Sequence, residues 1–165
     1  MQRVLIIGSP GSGKSTLSKA LSARTGLPLF HLDQLFWTTG WVERDKTALQ
    51  QQLAAILAQD RWILDGNYGS SLPLRIARAD TVIRLDYPTW LCLCRVLRRW
   101  WHWRGQTRPD MTAGCPERID LPFLRYVLNF RRGWAKRNSA ALNGFGGQIV
   151  TLSDPDQAAA WLSTL

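Results

Sequence analysis

Apolar positions along the chain fall into two alternating kinds of run. Residues 2–7 build to an unbroken aliphatic stretch that stops at a glycine, as in a strand covered on both faces. Residues 15–25 follow with Leu17 and Leu21 at helical spacing. The unit then recurs. Strands are predicted over 29–32, 62–64 and 81–85, and helices over 47–58, 71–78 and 89–103. A last strand over 149–152 leads into SDPDQAAAWL, where Asp154 caps a final helix, Pro155 fills its first turn and Gln157 stands three residues after the cap. Alternation of this kind builds right-handed βαβ units, so the expected class is α/β, a parallel sheet with helices on both faces.

Two stretches depart from the rhythm. Residues 104–118, RGQTRPDMTAGCPER, are rich in Gly, Pro and charge and have no apolar period, which predicts a mobile loop. A long helix is predicted after it, over 121–134, with Asp120 as its cap. There is no internal repeat and no low-complexity segment.

Composition narrows the class. A chain of 165 residues, 45% hydrophobic, suits one domain over 1–165 that buries roughly 70% of its unfolded surface. No apolar run approaches the about 20 residues of a membrane span, and the run at 4–7 is too short for a leader, so a cytoplasmic protein is expected. Cys92, Cys94 and Cys115 are odd in number and lack C-x-x-C spacing, which predicts reduced thiols rather than a disulfide framework or a zinc site. The net charge is +9, and residues 91–137 hold ten Arg and one Lys against Asp110, Glu117 and Asp120. A basic block of this kind either grips nucleic acid or surrounds a polyphosphate.

IIGSPGSGKST favours the polyphosphate. Gly8, Gly13, Lys14 and Ser15 fit G-x-x-x-x-G-K-[ST] directly after a strand and before a helix. Gly8, Ser9, Pro10, Gly11, Ser12, Gly13, Lys14, Ser15 and Thr16 form the expected ATP cradle, because glycines let consecutive N–H groups wrap phosphate oxygens. Lys14 reaches the terminal phosphates, and Ser15 is the expected ligand of Mg²⁺, which binds few protein groups and keeps several waters. In WILDGNY, Asp65 ends a strand, where an acid either holds a magnesium-bound water or helps position an acceptor. A strand-end Asp before Gly is also a common turn residue. The N-K-x-D element that reads guanine is absent.

GSPGSGKST resembles the adenylate-kinase P-loop, LDG that group's third-strand signature, and ADTVIRLDYPTWLCLCRVLRR its fourth strand and arginine-bearing helix. More narrowly, HLDQLFW, WILDGNY, LDYP and GCPERIDLPFLRYVLNF together resemble the bacterial topology modulation protein family, a branch of adenylate-kinase-like P-loop proteins. The resemblance implies a five-stranded parallel sheet in the order 2-3-1-4-5. It also implies that Arg95 packs on adenine, that Arg99 contacts ATP phosphates, and that 104–118 is an arginine lid. Arg104, Arg108 and Arg118 lie in that lid, and Arg125 follows on the next helix. Such a lid supplies cations to a migrating phosphoryl group and excludes water. The alternative for each arginine is a solvated basic face. Trp100, Trp101 and Trp103, interleaved with this charge, either pack the core and lid or stack the bases of a single strand. His102 has no second ligand at metal spacing.

On the acceptor side, Asp33 follows the second strand, where kinases resembling shikimate and gluconate kinases place an Asp beside the acceptor hydroxyl. There it orients the hydroxyl and accepts its proton; the alternative is a turn or cap acid. The acceptor segment, 33–60, is shorter than the monophosphate-binding insertion of adenylate kinases, which favours a smaller acceptor. Phe36, Trp37 and Trp41 either wall its pocket or pack on the sheet. Asn67, Tyr68 and Arg75 are further candidate contacts, Arg75 for an anionic acceptor. Together these readings describe an ATP·Mg²⁺-dependent phosphotransferase acting on a small molecule, either a nucleotide or a hydroxylated metabolite. The alternative is a nucleic-acid-associated ATP-binding protein that modulates DNA topology.

Overall fold

The computed structural model describes residues 1–165. Its centre is β1 (Arg3–Gly8), whose Val4, Leu5, Ile6 and Ile7 are all fully buried. Burying each of these side chains contributes about 1.5–3 kcal/mol, which explains why the stretch reads as an unbroken apolar run. The strand hands over through the glycine-rich turn to α1 (Lys14–Thr25). Then come β2 (Leu29–His31), a short α2 (Leu32–Phe36), and a small hairpin of β3 (Trp37–Thr38) and β4 (Val42–Glu43). The chain continues through α3 (Lys46–Leu57), β5 (Trp62–Asp65), α4 (Leu72–Arg78), β6 (Thr81–Leu85) and α5 (Thr89–Trp103). The last elements are α6 (Leu121–Asn129), α7 (Trp134–Ala141), β7 (Gln148–Leu152) and α8 (Pro155–Ser163).

The main sheet runs β2-β5-β1-β6-β7, every neighbouring pair parallel. Counting its five strands alone in chain order, this is the expected 2-3-1-4-5. Alternate residues feed two cores. Val4, Ile6, Ile63 and Ile83 pack with Leu17 and Leu21 of α1, Cys92 and Val96 of α5 and Ala158 of α8. Leu5, Ile7, Leu64 and Val82 pack with Leu53, Ile56 and Leu57 of α3, Leu72 of α4 and Leu142. Register aligns the strand ends: His31 lies opposite Asp65, and Ile6 is also opposite Asp65, so β2, β5 and β1 finish side by side under the glycine-rich turn. Functional groups in open α/β sheets gather at this carboxyl edge.

Asp120 and Asp154 cap α6 and α8 as the pattern predicts, each accepting from the backbone N–H three residues on. The helix expected over 121–134 stops at Asn129, and a second helix, α7, begins at Trp134. α6 delivers Val127 to the first core, while Leu142, just past α7, enters the second. One straight helix cannot serve both faces of the sheet, and the break falls at Asn129–Gly133. The strand expected over 29–32 stops at His31, where α2 begins. All three cysteines are free thiols, Cys92 and Cys115 buried and Cys94 exposed. No helix is long and apolar enough to cross a membrane.

Candidate active site

The glycine-rich turn lies close against α5. At Gly11 (φ 79°) an added Cβ would meet the Cys92 carbonyl oxygen at 2.2 Å, so only glycine permits this approach. Lys14 Nζ donates to the carbonyls of Gly8 and Ser9, both at 2.9 Å, which holds the ammonium over the turn. Burial lowers the Lys14 pKa, against the opposing pull of Asp65 and Asp33. The buried Ser12 hydroxyl has no partner within the chain. A buried donor without a partner, inside a turn headed by a lysine, suits phosphate oxygens. Ser15 and Thr16 open α1, Ser15 half-buried and Thr16 exposed.

Asp65 is buried at the end of β5 and both of its oxygens are engaged. Oδ1 is 2.8 Å from His31 Nδ1, and Oδ2 accepts from Ser18 Oγ at 3.1 Å. Burial opposes the charged imidazolium, but the hydrogen bond and charge of Asp65 outweigh it, so the His31 pKa is raised. His31 was missed from sequence; the signal was its place at the end of the strand next to that of Asp65.

Asp33 sits half-buried in the first turn of α2, and its Oδ1 accepts from the Tyr68 hydroxyl at 2.9 Å. Burial raises the Asp33 pKa against the counter-pull of Tyr68 and Lys14, and burial together with Asp33 raises that of Tyr68. Phe36 stacks on Tyr68 at 4.5 Å and meets Trp37 edge-on at 4.9 Å, and Trp37 meets Trp41 at 5.4 Å. Lys14, Asp33 and Tyr68 are therefore neighbours with an aromatic wall beside them.

Two expected acceptor contacts are corrected. Arg75 is fully buried, and its guanidinium turns back onto the chain leaving β5. It donates to the carbonyls of Gly66 (2.9 Å), Asn67 (2.6 Å) and Tyr68 (2.8 Å) and to Ser71 Oγ (3.2 Å). Burial lowers its pKa to about 9. Asn67 grips the first glycine of the phosphate turn: its Oδ1 accepts from Gly8 N–H at 3.1 Å, and its Nδ2 donates to Gly8 O at 2.8 Å and to the Tyr126 hydroxyl at 3.3 Å. Arg75 therefore braces the chain leaving β5, and Asn67 braces the phosphate turn.

The arginines divide into two groups. Arg99 donates through Nε and Nη2 to Glu117 Oε1 at 2.9 and 2.8 Å. Arg108 donates to the other oxygen of Glu117 and, through Nη1, to Asp110 at 2.8 Å. The Glu117 side chain is only 3% exposed, so two guanidinium groups meet over one buried carboxylate. Burial and then Arg108 lower the Arg99 pKa, with Glu117 opposing. Burial works against ionised Asp110, but Arg108 and then the Ser15 hydroxyl prevail and its pKa is lowered. The 104–118 segment thus touches the head of α1. Arg95 lies over the Tyr87 ring at 5.7 Å, beside Gly13. Arg118, by contrast, stacks at 4.6 Å on Trp41, away from the Arg99–Arg108 pair, and Arg125 is exposed. Glu117 carried no signal beyond being one of three acids in a basic block.

The loop expected over 104–118 carries no helix or strand, and it is docked on the acceptor segment. Residues 104–118 lack a period because their bonds run sideways to the acceptor segment. Gly40 N–H donates to Gly114 O (3.0 Å), Thr39 Oγ1 to Ala113 O (3.2 Å) and Trp41 Nε1 to Pro116 O (3.0 Å). In the other direction, Thr112 Oγ1 donates to Trp37 O (2.8 Å) and Cys115 Sγ to Thr38 O (3.1 Å). Within the basic block, Arg99, Arg108 and Arg131 are ion-paired. Trp100 lies under Arg104, and Trp103 meets His102 edge-on. Trp101 is exposed. No group of three or more His, Cys, Asp or Glu is arranged to hold a metal ion.

The sheet order and the glycine-rich turn define a P-loop NTPase fold. No protein-family model matches the sequence, and no curated protein matches it either. Solved structures do match. Shikimate kinase from Acinetobacter baumannii, in complex with shikimate, is 14% identical with a TM-score of 0.62, over 99% of this chain and 90% of that one. Shikimate kinase from Bacteroides thetaiotaomicron is 16% identical with a TM-score of 0.59, over 99% and 95%. A gluconokinase from Sinorhizobium meliloti 1021 is 16% identical with a TM-score of 0.53, over 99% and 92%. The likeness is one of fold.

Proposed function

We propose that the protein is a kinase that moves the γ-phosphate of ATP to a hydroxyl of a small molecule. One observation carries this reading: a P-loop lysine, a half-buried carboxylate with a tyrosine hydroxyl on it, and a pair of arginines lie close enough for their charges to act on one another. Phosphoryl transfer needs these parts, since its catalysis is positioning plus cationic stabilisation away from water.

In this reading residues 8–16 hold the phosphates, with Lys14 released from the Gly8 and Ser9 carbonyls to the β- and γ-oxygens. Mg²⁺, held through Ser15 with Asp65 behind it, would neutralise charge on those oxygens. Arg99 and Arg108 face the charge that spreads over the migrating group, and Arg95 packs on the base. Asp33 accepts the proton of the attacking hydroxyl, and its raised pKa makes it a stronger base than a solvated carboxylate. Tyr68 orients it. Phe36 and Trp37 wall the acceptor, and their apolar faces together with the short acceptor segment favour a hydroxylated metabolite over a nucleotide. Shikimate kinase and gluconokinase among the fold neighbours support the same choice.

The test is ADP release from ATP·Mg²⁺ alone and with nucleoside monophosphates, nucleosides, sugar acids and ring acids, with Lys14→Ala as the blank. Stimulation by a hydroxylated metabolite is expected. A flat panel from a protein that still binds ATP would overturn the proposal.

A further inference from the structure

β6 is a central strand, flanked by β1 and β7, and Thr81, Val82, Ile83 and Leu85 within it are buried. Its remaining residue is Arg84. A guanidinium there has five donors to satisfy, yet it makes one side-chain hydrogen bond, from Nη1 to Ser139 Oγ at 2.9 Å, and no ion pair. Its Nε is buried without a partner. Asn138, next to Ser139 on α7, is 2% exposed, and its Oδ1 is also unpartnered. Native structures rarely leave two such groups unpaired without reason.

Arg84 and Asn138 line one hollow of about 350 Å³ between the end of β6 and the α6–α7 turn. That volume lies within the range of small-ligand sites, about 300–1,000 Å³. Arg131 and Lys136 complete its charge, and the acid in its wall, Asp86, is already held by Arg131 at 3.1 and 3.3 Å. The hollow is therefore cationic, and the same two basic residues extend it outward into a shallower depression bordered by Arg132. Lys14, Asp33 and Tyr68 do not line it, so it is separate from the site described above. It does share Gly8, the first residue of the phosphate turn, whose other side Asn67 grips.

We propose that this hollow binds a small phosphate-bearing anion. Arg84 offers a planar set of donors that matches phosphate oxygens, Lys136 adds a point charge at the mouth, and the Asn138 amide turns whichever end the ligand needs toward it.

Calorimetric titration with glycerol 3-phosphate and with inorganic phosphate tests the proposal. It is run on the whole chain saturated with the magnesium complex of a non-hydrolysable ATP analogue, and separately on Lys14→Ala. Binding is expected in both, weakened about tenfold by Arg84→Met and several-fold by Lys136→Glu. Lys136 is exposed, so the second variant keeps the test decisive if the first does not fold. Ester binding tighter than phosphate identifies a phosphorylated metabolite, and equal binding identifies free phosphate. Absence of heat with both probes overturns the proposal, as does binding that Lys14→Ala abolishes and Lys136→Glu leaves unchanged.

Discussion

Asp33 and His31, two residues apart, have both pKa values raised, so both make stability fall as pH rises, but from opposite causes. For Asp33 burial is the cause, so the folded chain binds its proton more tightly than the unfolded chain does. Stability then falls as pH rises from the ordinary carboxylate range through the raised value. We expect Asp33→Asn to raise Tm at neutral pH while lowering kcat by about 10²–10⁴ with little change in the KM for ATP. Thermal melts and steady-state kinetics check this, and equal losses in kcat and ATP affinity would assign Asp33 to the metal or the fold instead. For His31 the Asp65 carboxylate outweighs burial, so the imidazolium stabilises the fold. That stability is fully present below the unfolded pKa of about 6.5 and is lost as pH rises through the raised value. His31→Gln should therefore cost more stability near pH 5 than near pH 9, as chemical denaturation at the two pH values would report. A pH-independent cost would mean that His31 is neutral throughout.

Elements were legible where burial on two faces left one reading. β1 and β6 are covered above and below, so their residues form compact apolar runs, and Thr81–Leu85 is observed over the predicted range. The phosphate turn was legible because a strand, the glycines and a helix start stand at fixed offsets. The β3–β4 hairpin, with two residues in each strand, is too short for any period to show. Side-chain direction was not legible at all. A cation on α4 near the site reads as a substrate contact, but the chain leaving β5 has three carbonyls that must be satisfied, and Arg75 turns inward to them. Arg75→Met would leave those acceptors buried and unpaired. We expect a loss of about 2–4 kcal/mol in denaturant unfolding, with the lost activity following the unfolded fraction. A stable variant with a raised KM for the acceptor would return Arg75 to the substrate.

On the scale of the whole molecule, the 104–118 segment and the acceptor segment behave as one cap. Seven hydrogen bonds and the Arg118–Trp41 stack join them, and Trp41, a non-glycine residue, is held in the left-handed region at φ 62°. A backbone conformation of that kind costs energy and persists only where surrounding contacts impose it, here the Pro116 carbonyl and the Arg118 guanidinium. We expect an acceptor to reach Asp33 by parting these contacts, with opening of the cap as the slow step. Cys115 offers a direct view of that opening. Its thiol is 1% exposed and donates to Thr38 O, so a thiol reagent reaches it only when the cap separates from the hairpin. With Cys94→Ser removing the exposed thiol, peptide mapping should show Cys115 labelled slowly, and more slowly still when a magnesium–ATP analogue draws Arg99 and Arg108 onto its phosphates. Trp41→Ala, which removes both the indole donor and the cation–π platform, should speed labelling several-fold. If Cys115 labels as fast as Cys94 does in the unaltered chain, the cap stands open in solution and the Asp33 site is freely accessible.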